Sequence, residues 1–201
     1  MAIKFQYNKT SLQQLEKQLK VRKRTLPIIK NKESALRMEV KKSKEEAAGY
    51  EEKLEKQIQA YEAMFALWNE FDPSLLKVKD VHLGIKKIAG VRVPLIDNID
   101  FEIRSFSLFT SPKWYADGIH ILKQLAHTAI EREFTLAKLS LLEHARRKTT
   151  QKVNLFEKVQ IPGYEDALRK IKRFMEDEEN LSKSSQKILK SIQAKRKEAE
   201  V

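Results

Sequence analysis

Few residues in this chain have the types and spacing that chemistry needs. The four histidines are His82, His120, His127 and His144. His127 and Glu131 stand one helical turn apart, as a pair of metal ligands would, and His120 lies two turns before His127. No third ligand falls in pattern and the chain has no cysteine, so the spacing gives no metal site and no thiolate chemistry. Five glycines supply neither GxxxxGK[ST] nor GxGxxG, so there is no loop to cradle a phosphate. Serines and aspartates show no nucleophile spacing. The sequence predicts a protein that is not an enzyme, with no cofactor, no metal and no catalytic residue.

The remaining candidate is "RRKTTQKVNLFEKVQIPG", residues 146–163. Cations, threonines and an asparagine crowd what is otherwise an apolar-patterned helix. Such a stretch suits recognition of a partner, or the fixing of helix register, better than catalysis. A second basic block, Arg22, Lys23 and Arg24, lies near the N-terminus.

The elements that must position these blocks are long helices. Alternating steps of three and four from Leu12 reach Leu15, Leu19, Leu26, Ile29, Leu36, Val40, Ala47, Tyr50, Leu54, Tyr61, Met64, Trp68 and Phe71. Only Arg22, Glu33, Ser43 and Gln57 interrupt this seam, which predicts a coiled-coil helix. Ser11 and Gln14 have the form of a capping box, and Asp72-Pro73 gives the expected stop. Pro27 predicts a kink in this helix, not its end. Between Pro73 and Pro112 the texture turns β-branched. Gly84, Gly90 and Asp97-Asn98 read as turn material, giving short strands, most simply a hairpin with extra pieces. Trp68, Phe71, Trp114 and Tyr115 are expected to form a small core joining helix to strands, the alternative being an exposed partner-binding patch.

Ser111-Pro112 reads as a cap and first turn, after which helix resumes. The three-four numbering from Leu122 gives Leu125, Ala129, Leu136 and Leu139, and later Ala167, Ile171, Phe174, Leu181, Ile188 and Ile192. Between these runs the seam turns polar at Glu143, Arg146, Thr150, Glu157 and Gln160, with Val153 the apolar exception.

The fold class expected is therefore mainly α: a long antiparallel two-helix coiled coil formed by the N- and C-terminal helices, with a short β-hairpin-containing segment between them. The segments are 1–72, 73–111 and 112–201, within one elongated domain. Charge blocks suggest a register in which opposed residue numbers add to about 201. Arg22 to Arg24 would then face Glu176 to Glu179, and Arg146, Arg147 and Lys148 would face Glu51, Glu52 and Glu55.

Forty Lys and Arg against 28 Asp and Glu give a net charge of +12. Residues 1–60 and 121–201 carry all of the excess, which favours acidic partners. No run approaches the length of apolar sequence that spans a bilayer, and the N-terminus lacks a signal-peptide pattern. A soluble, cytoplasmic protein is expected.

The polar stretch resembles the D subunit of the V-type and A-type ATPases, in which a basic segment with VN..E leads into Ile-Pro. Lys148, Thr149, Lys152, Val153, Asn154, Glu157, Ile161 and Pro162 match that pattern. "NKTSLQQLEKQL", "IIKNKESAL" and "IAGVRVP" are similar to other parts of the same family, in order along the chain. Thr150, Gln151, Glu33 and Gly163 depart from it, as in a divergent bacterial member.

The resemblance implies a central rotor shaft with its terminal helices wound antiparallel. Their free ends would sit inside a hexamer of A and B subunits that binds ATP, a small F subunit would clasp the shaft, and a funnel-shaped subunit on the proteolipid ring would seat its other end. It also implies coupling of ATP hydrolysis or synthesis to proton or sodium transport, in a complex peripheral to the membrane. On that picture the polar stretch and the basic blocks are expected to bind partners through Arg22, Lys23, Arg24, Arg146, Arg147, Lys148, Lys152, Asn154 and Glu157, with Arg22 to Arg24 and "KRKEAEV" at the C-terminus meeting acidic surfaces of the hexamer. Two rival readings of the same pattern are a prefoldin-like coiled-coil chaperone and a basic coiled coil that binds nucleic acid.

Overall fold

The computed structural model describes residues 3–62, 65–107 and 111–199. Met64 of the expected seam, Leu108 and Phe109 of the expected β segment, and Glu200 and Val201 of the terminal "KRKEAEV" lie outside these residues.

Helix α1 runs Lys9–Ala60 and passes through Pro27 without ending. Its cap is Asn8, whose side-chain oxygen accepts from the Ser11 amide at 2.7 Å. Ser11 is thus the capped residue and not the cap: its hydroxyl is turned back to accept from the Gln6 amide. The helix also stops earlier than the seam suggested. After Ala60 come a short helix α2, Phe65–Trp68, and a 3-10 turn, Pro73–Leu75, which Asp72 caps.

Strands β1, Leu76–Ile88, and β2, Val91–Ile103, form one antiparallel hairpin. Of the expected turn residues only Gly90 is in a turn, with φ 81° and with Ala89 at φ 47° before it, the left-handed pair that a tight hairpin needs. Gly84 and Asp97-Asn98 lie within the strands. The pairing slips between His82 and Leu83, and Asp97 folds its carboxylate over Gly84, where a Cβ would sit 2.7 Å from an Asp97 oxygen. Glycine at 84 marks a close approach, and the sequence alone does not distinguish that from a bend.

Helix α3 spans Tyr115–Asn154, three residues after the expected Pro112 start. A π-helical turn, Leu155–Gln160, follows, and α4 spans Ile161–Ala199. The chain divides into two compact units. The first contains residues 1–31 and 150–201, and the second residues 32–149. In each, a part of α1 lies antiparallel to the later helix.

Along α1 the predicted seam is correct throughout the described residues: every position from Leu12 to Tyr61 is buried or half-buried. Along α3 half of it is displaced by one residue. At the displaced steps the buried residues are Ile121, Thr128, Thr135 and Leu142, whereas Leu136, expected inside, is exposed. The cause is threonine chemistry. Thr128 and Thr135 donate their hydroxyls to the carbonyls of Gln124 and Glu131, one turn back, and so can be buried without a polar partner from another helix.

In the second unit Leu36, Val40 and Leu142 pack under Val93 of β2. At its other end Phe71, Leu75 and Ile119 form a cluster with Trp68, Trp114 and Tyr115, which is the small core expected for these aromatics. In the first unit Leu15, Tyr164, Ala167, Leu168 and Ile171 pack together under Ile3 and Phe5 of an N-terminal strap.

Candidate partner-binding surface

The expected register is wrong, and the ion pairs show by how much. In the first unit Lys23 pairs with Glu165 at 2.6 Å, Lys30 with Glu157 at 2.7 Å and Lys172 with Glu16 at 3.3 Å. Lys23 therefore faces Glu165, more than three turns short of Glu178. In the second unit Glu51 is held by Arg132, and Lys44 by Glu143. Arg146, Arg147 and Lys148 do not meet Glu51, Glu52 or Glu55. Exposed charges contribute about 0 to 1 kcal/mol each, so they adapt to the register that buried side chains impose. Leu15, Leu36, Leu142 and Ile171 set it here.

The polar stretch divides at Thr150 between the units. On the second unit's side, Glu143 accepts from Lys44 at 3.0 Å. That hydrogen-bonded ammonium, with Arg147 and Arg146 behind it, holds the Glu143 carboxyl below the usual carboxylate range. Arg146 is half-buried, and its Nε has no hydrogen-bond partner among the described residues. Arg147 reaches Glu143 only at 3.8 Å and is mostly exposed, and Lys148 is exposed.

On the first unit's side the seam itself is polar. Arg22 donates from Nε to Gln160 at 2.8 Å and stacks its guanidinium 4.5 Å from the centre of the Tyr164 ring. Lys30 donates to Glu157. Lys152 lies 6.0 Å from the Phe156 ring, and Asn154 is exposed with no capping bond. Arg24 is exposed beside the Lys23–Glu165 pair. The structure thus ties Arg22, Lys30, Glu157 and Gln160 into cross-helix contacts. Arg24, Arg147, Lys148, Lys152 and Asn154 are exposed.

Sequence reading missed two features of this region. One is the π turn. A regular helix would drive the Pro162 ring into the Lys158 carbonyl and leave that carbonyl without an N–H donor. The chain instead widens by one residue, so that the Ile161 amide donates to Phe156. The Ile-Pro pair was the available signal. The other is the strap, residues 3–8. Ile3 lies against Gly163, where a Cβ would sit 3.1 Å from its Cδ1, and Tyr7 rests on Phe174 with ring centres 4.9 Å apart. Gly163, a departure from the resembled pattern, is the position that admits the strap.

The metal-like spacing leads elsewhere. His127 leans to Glu131 at 3.5 Å and His120 is hydrogen-bonded by Gln124. Among the described residues no three His, Cys, Asp or Glu side chains come together, and no helix is long and apolar enough to cross a membrane.

A family model for the ATP synthase D subunit matches residues 11–191. The chain belongs to this family. Among similar proteins, the V-type ATP synthase D subunit of Borreliella burgdorferi is 32% identical over 191 residues, which is 94% of each chain. That of Chlamydia pneumoniae is 30% identical over 186 residues, 88% of this chain and 87% of its own. The match takes in both units, the hairpin and the polar stretch, so family membership rests on nearly the whole chain.

Proposed function

We infer that this D subunit is the central shaft of a V/A-type rotary ATPase, a non-catalytic part that turns inside a hexamer of A and B subunits. It would couple ATP hydrolysis or synthesis there to movement of protons or sodium ions. The observation that carries this reading is the antiparallel pairing of α1 with the later helices in both units, in a chain of this family. Packed helices resist twisting, and a surface rich in charge slides past successive faces of a surrounding ring without adhering. The location is peripheral to the membrane, on the cytoplasmic side, with a funnel-shaped subunit of the proteolipid ring below.

The polar seam serves as a register lock. Arg22 has to find both Gln160 and the Tyr164 ring, and a one-turn slip would leave these groups unpaired in a half-buried setting. In the first unit the exposed Lys152 and Asn154, and in the second the exposed Arg147 and Lys148, would dock the small F subunit. Arg22, Lys23, Arg24 and the basic C-terminal segment would meet acidic surfaces of the hexamer. Affinity purification of the tagged chain from native membranes tests the class, with A, B and F subunits expected to accompany it. Recovery of the chain alone, or as a homo-oligomer, would count against the shaft. Asn154→Ala with Arg146→Ala should weaken capture of the F subunit while leaving helix content unchanged.

A further inference from the structure

A groove of about 430 Å³ on the second unit runs between α1 and the first half of α3. Its walls include Lys53 and Gln57 from one helix and His120, Lys123 and His127 from the other. A second hollow shares Lys53 and Gln57 and extends the groove along α1 to Ala60. The walls of the first hollow carry no acid, and the second adds Glu52, which is paired there with Lys56. The neighbouring acids are already engaged: Glu51 with Arg132, Glu52 with Lys56 and Glu131 with His127. Glu55 lies on the far side of α1 from Lys53 and Gln57. Lys53 and Lys123 have no carboxylate partner among the described residues, and Lys123 only rests its ammonium 5.4 Å from the Phe101 ring.

A second observation points to the ligand. The Gln57 side-chain oxygen is buried without any donor, and the residue forms part of both hollows. A buried amide oxygen left unpaired is costly, so an N–H brought into the groove would relieve it once the Gln57 side chain turns outward. Uncompensated ammonium groups call for carboxylates, and a lone acceptor between them calls for an N–H. An extended acidic peptide offers both at once. A phosphodiester backbone supplies the charge but carries no N–H of its own.

We propose that this groove is a docking site for an acidic segment of a partner protein. Lys53 and Lys123 receive its carboxylates, and Gln57 accepts one of its backbone amides. The groove belongs to the second unit alone and can be probed on the isolated full-length chain, so its failure and that of the shaft reading are distinguishable.

The probe is a fluorescein-labelled, N-acetylated hexaglutamate peptide, followed by anisotropy. K53E/K123E is compared with K187E/K190E, which makes the same charge change on an exposed face of α4. The groove variant should bind about tenfold more weakly or worse, and the control should change by less than about twofold. Q57L, which leaves charge untouched, should lose several-fold, and K53Q/K123Q supplies the same test if the reversed charges disturb helix content by circular dichroism. Equal losses in both reversed-charge variants, or no loss in the groove variants, would overturn the proposal. So would tighter binding of a hexathymidylate oligomer than of hexaglutamate.

Discussion

The two units solve one problem differently. Two helices alone bury only a thin line of side chains, and complete burial needs a third element. In the second unit that element is the hairpin, whose Val93 closes over Leu36, Val40 and Leu142 and leaves Leu36 and Leu142 with no exposure. In the first unit it is the short strap, whose Ile3 and Phe5 cover Leu15 and the Tyr164–Ile171 face. The hairpin brings its own hydrogen-bonded ladder, whereas the strap has side-chain contacts and a few local bonds. The second unit is accordingly built for rigidity. The first carries an in-helix proline, a π turn and a polar seam within a few turns of one another, and it leaves Leu181, Ile188 and Ile192 exposed beyond the start of α1.

The comparison can be broken most forcefully at the second unit's core. Leu142→Ala removes a fully buried side chain under the hairpin and should cost about 2 to 5 kcal/mol in a urea titration. A loss no greater than that of the half-buried Leu19→Ala would show that the hairpin does not seal this site. In the first unit, Pro27→Ala restores an amide donor in an exposed helix interior and should stabilise by about 1 to 3 kcal/mol. No gain would mean that the opposite helix already accommodates the proline. Phe5→Ala should cost about 1 to 2 kcal/mol if the strap is a structural layer, and nothing if it only rests on the surface.

A smaller effect separates the hairpin's own chemistry. His82 donates to Asp100 at 2.9 Å, and that hydrogen-bonded carboxylate, with Asp80 and Asp97 nearby, raises the imidazole pKa. A raised folded-state pKa means that the contribution is present at pH below the unfolded value and is lost as pH rises through the folded one. An NMR titration should place His82 above the ordinary imidazole range, and Asp100→Asn should bring it down. Smallest of all, Ala89→Asn at the positive-φ turn position should stabilise by less than about 1 kcal/mol.

How much is legible in the sequence follows from the physics of each feature. The α1 seam is readable because burial there is carried by Leu, Ile and Val at regular steps. The α3 seam is half readable. Thr128 and Thr135 look polar in sequence yet satisfy their hydroxyls within their own helix, so phase counted by apolar residues slips to Leu136. The hairpin is visible in its β-branched texture, but Gly84 reads as a bend because a close approach by Asp97 leaves no mark in the sequence. Register is misread from charge blocks because exposed ion pairs do not carry the weight such a reading gives them. Of the candidate site, the polar seam is legible at Arg22, Glu157 and Gln160. Their partners are not, since Lys30 and Tyr164 are identified only once the helices are aligned.

That alignment in the first unit is the claim on which the register lock rests, and paired cysteines test it in a chain that has none of its own. Lys23→Cys combined with Glu165→Cys, treated with a short bis-maleimide, should give rapid intramolecular cross-linking, while Lys23→Cys with Glu178→Cys should give little. Efficient linkage of 23 to 178 and none of 23 to 165 would contradict the account.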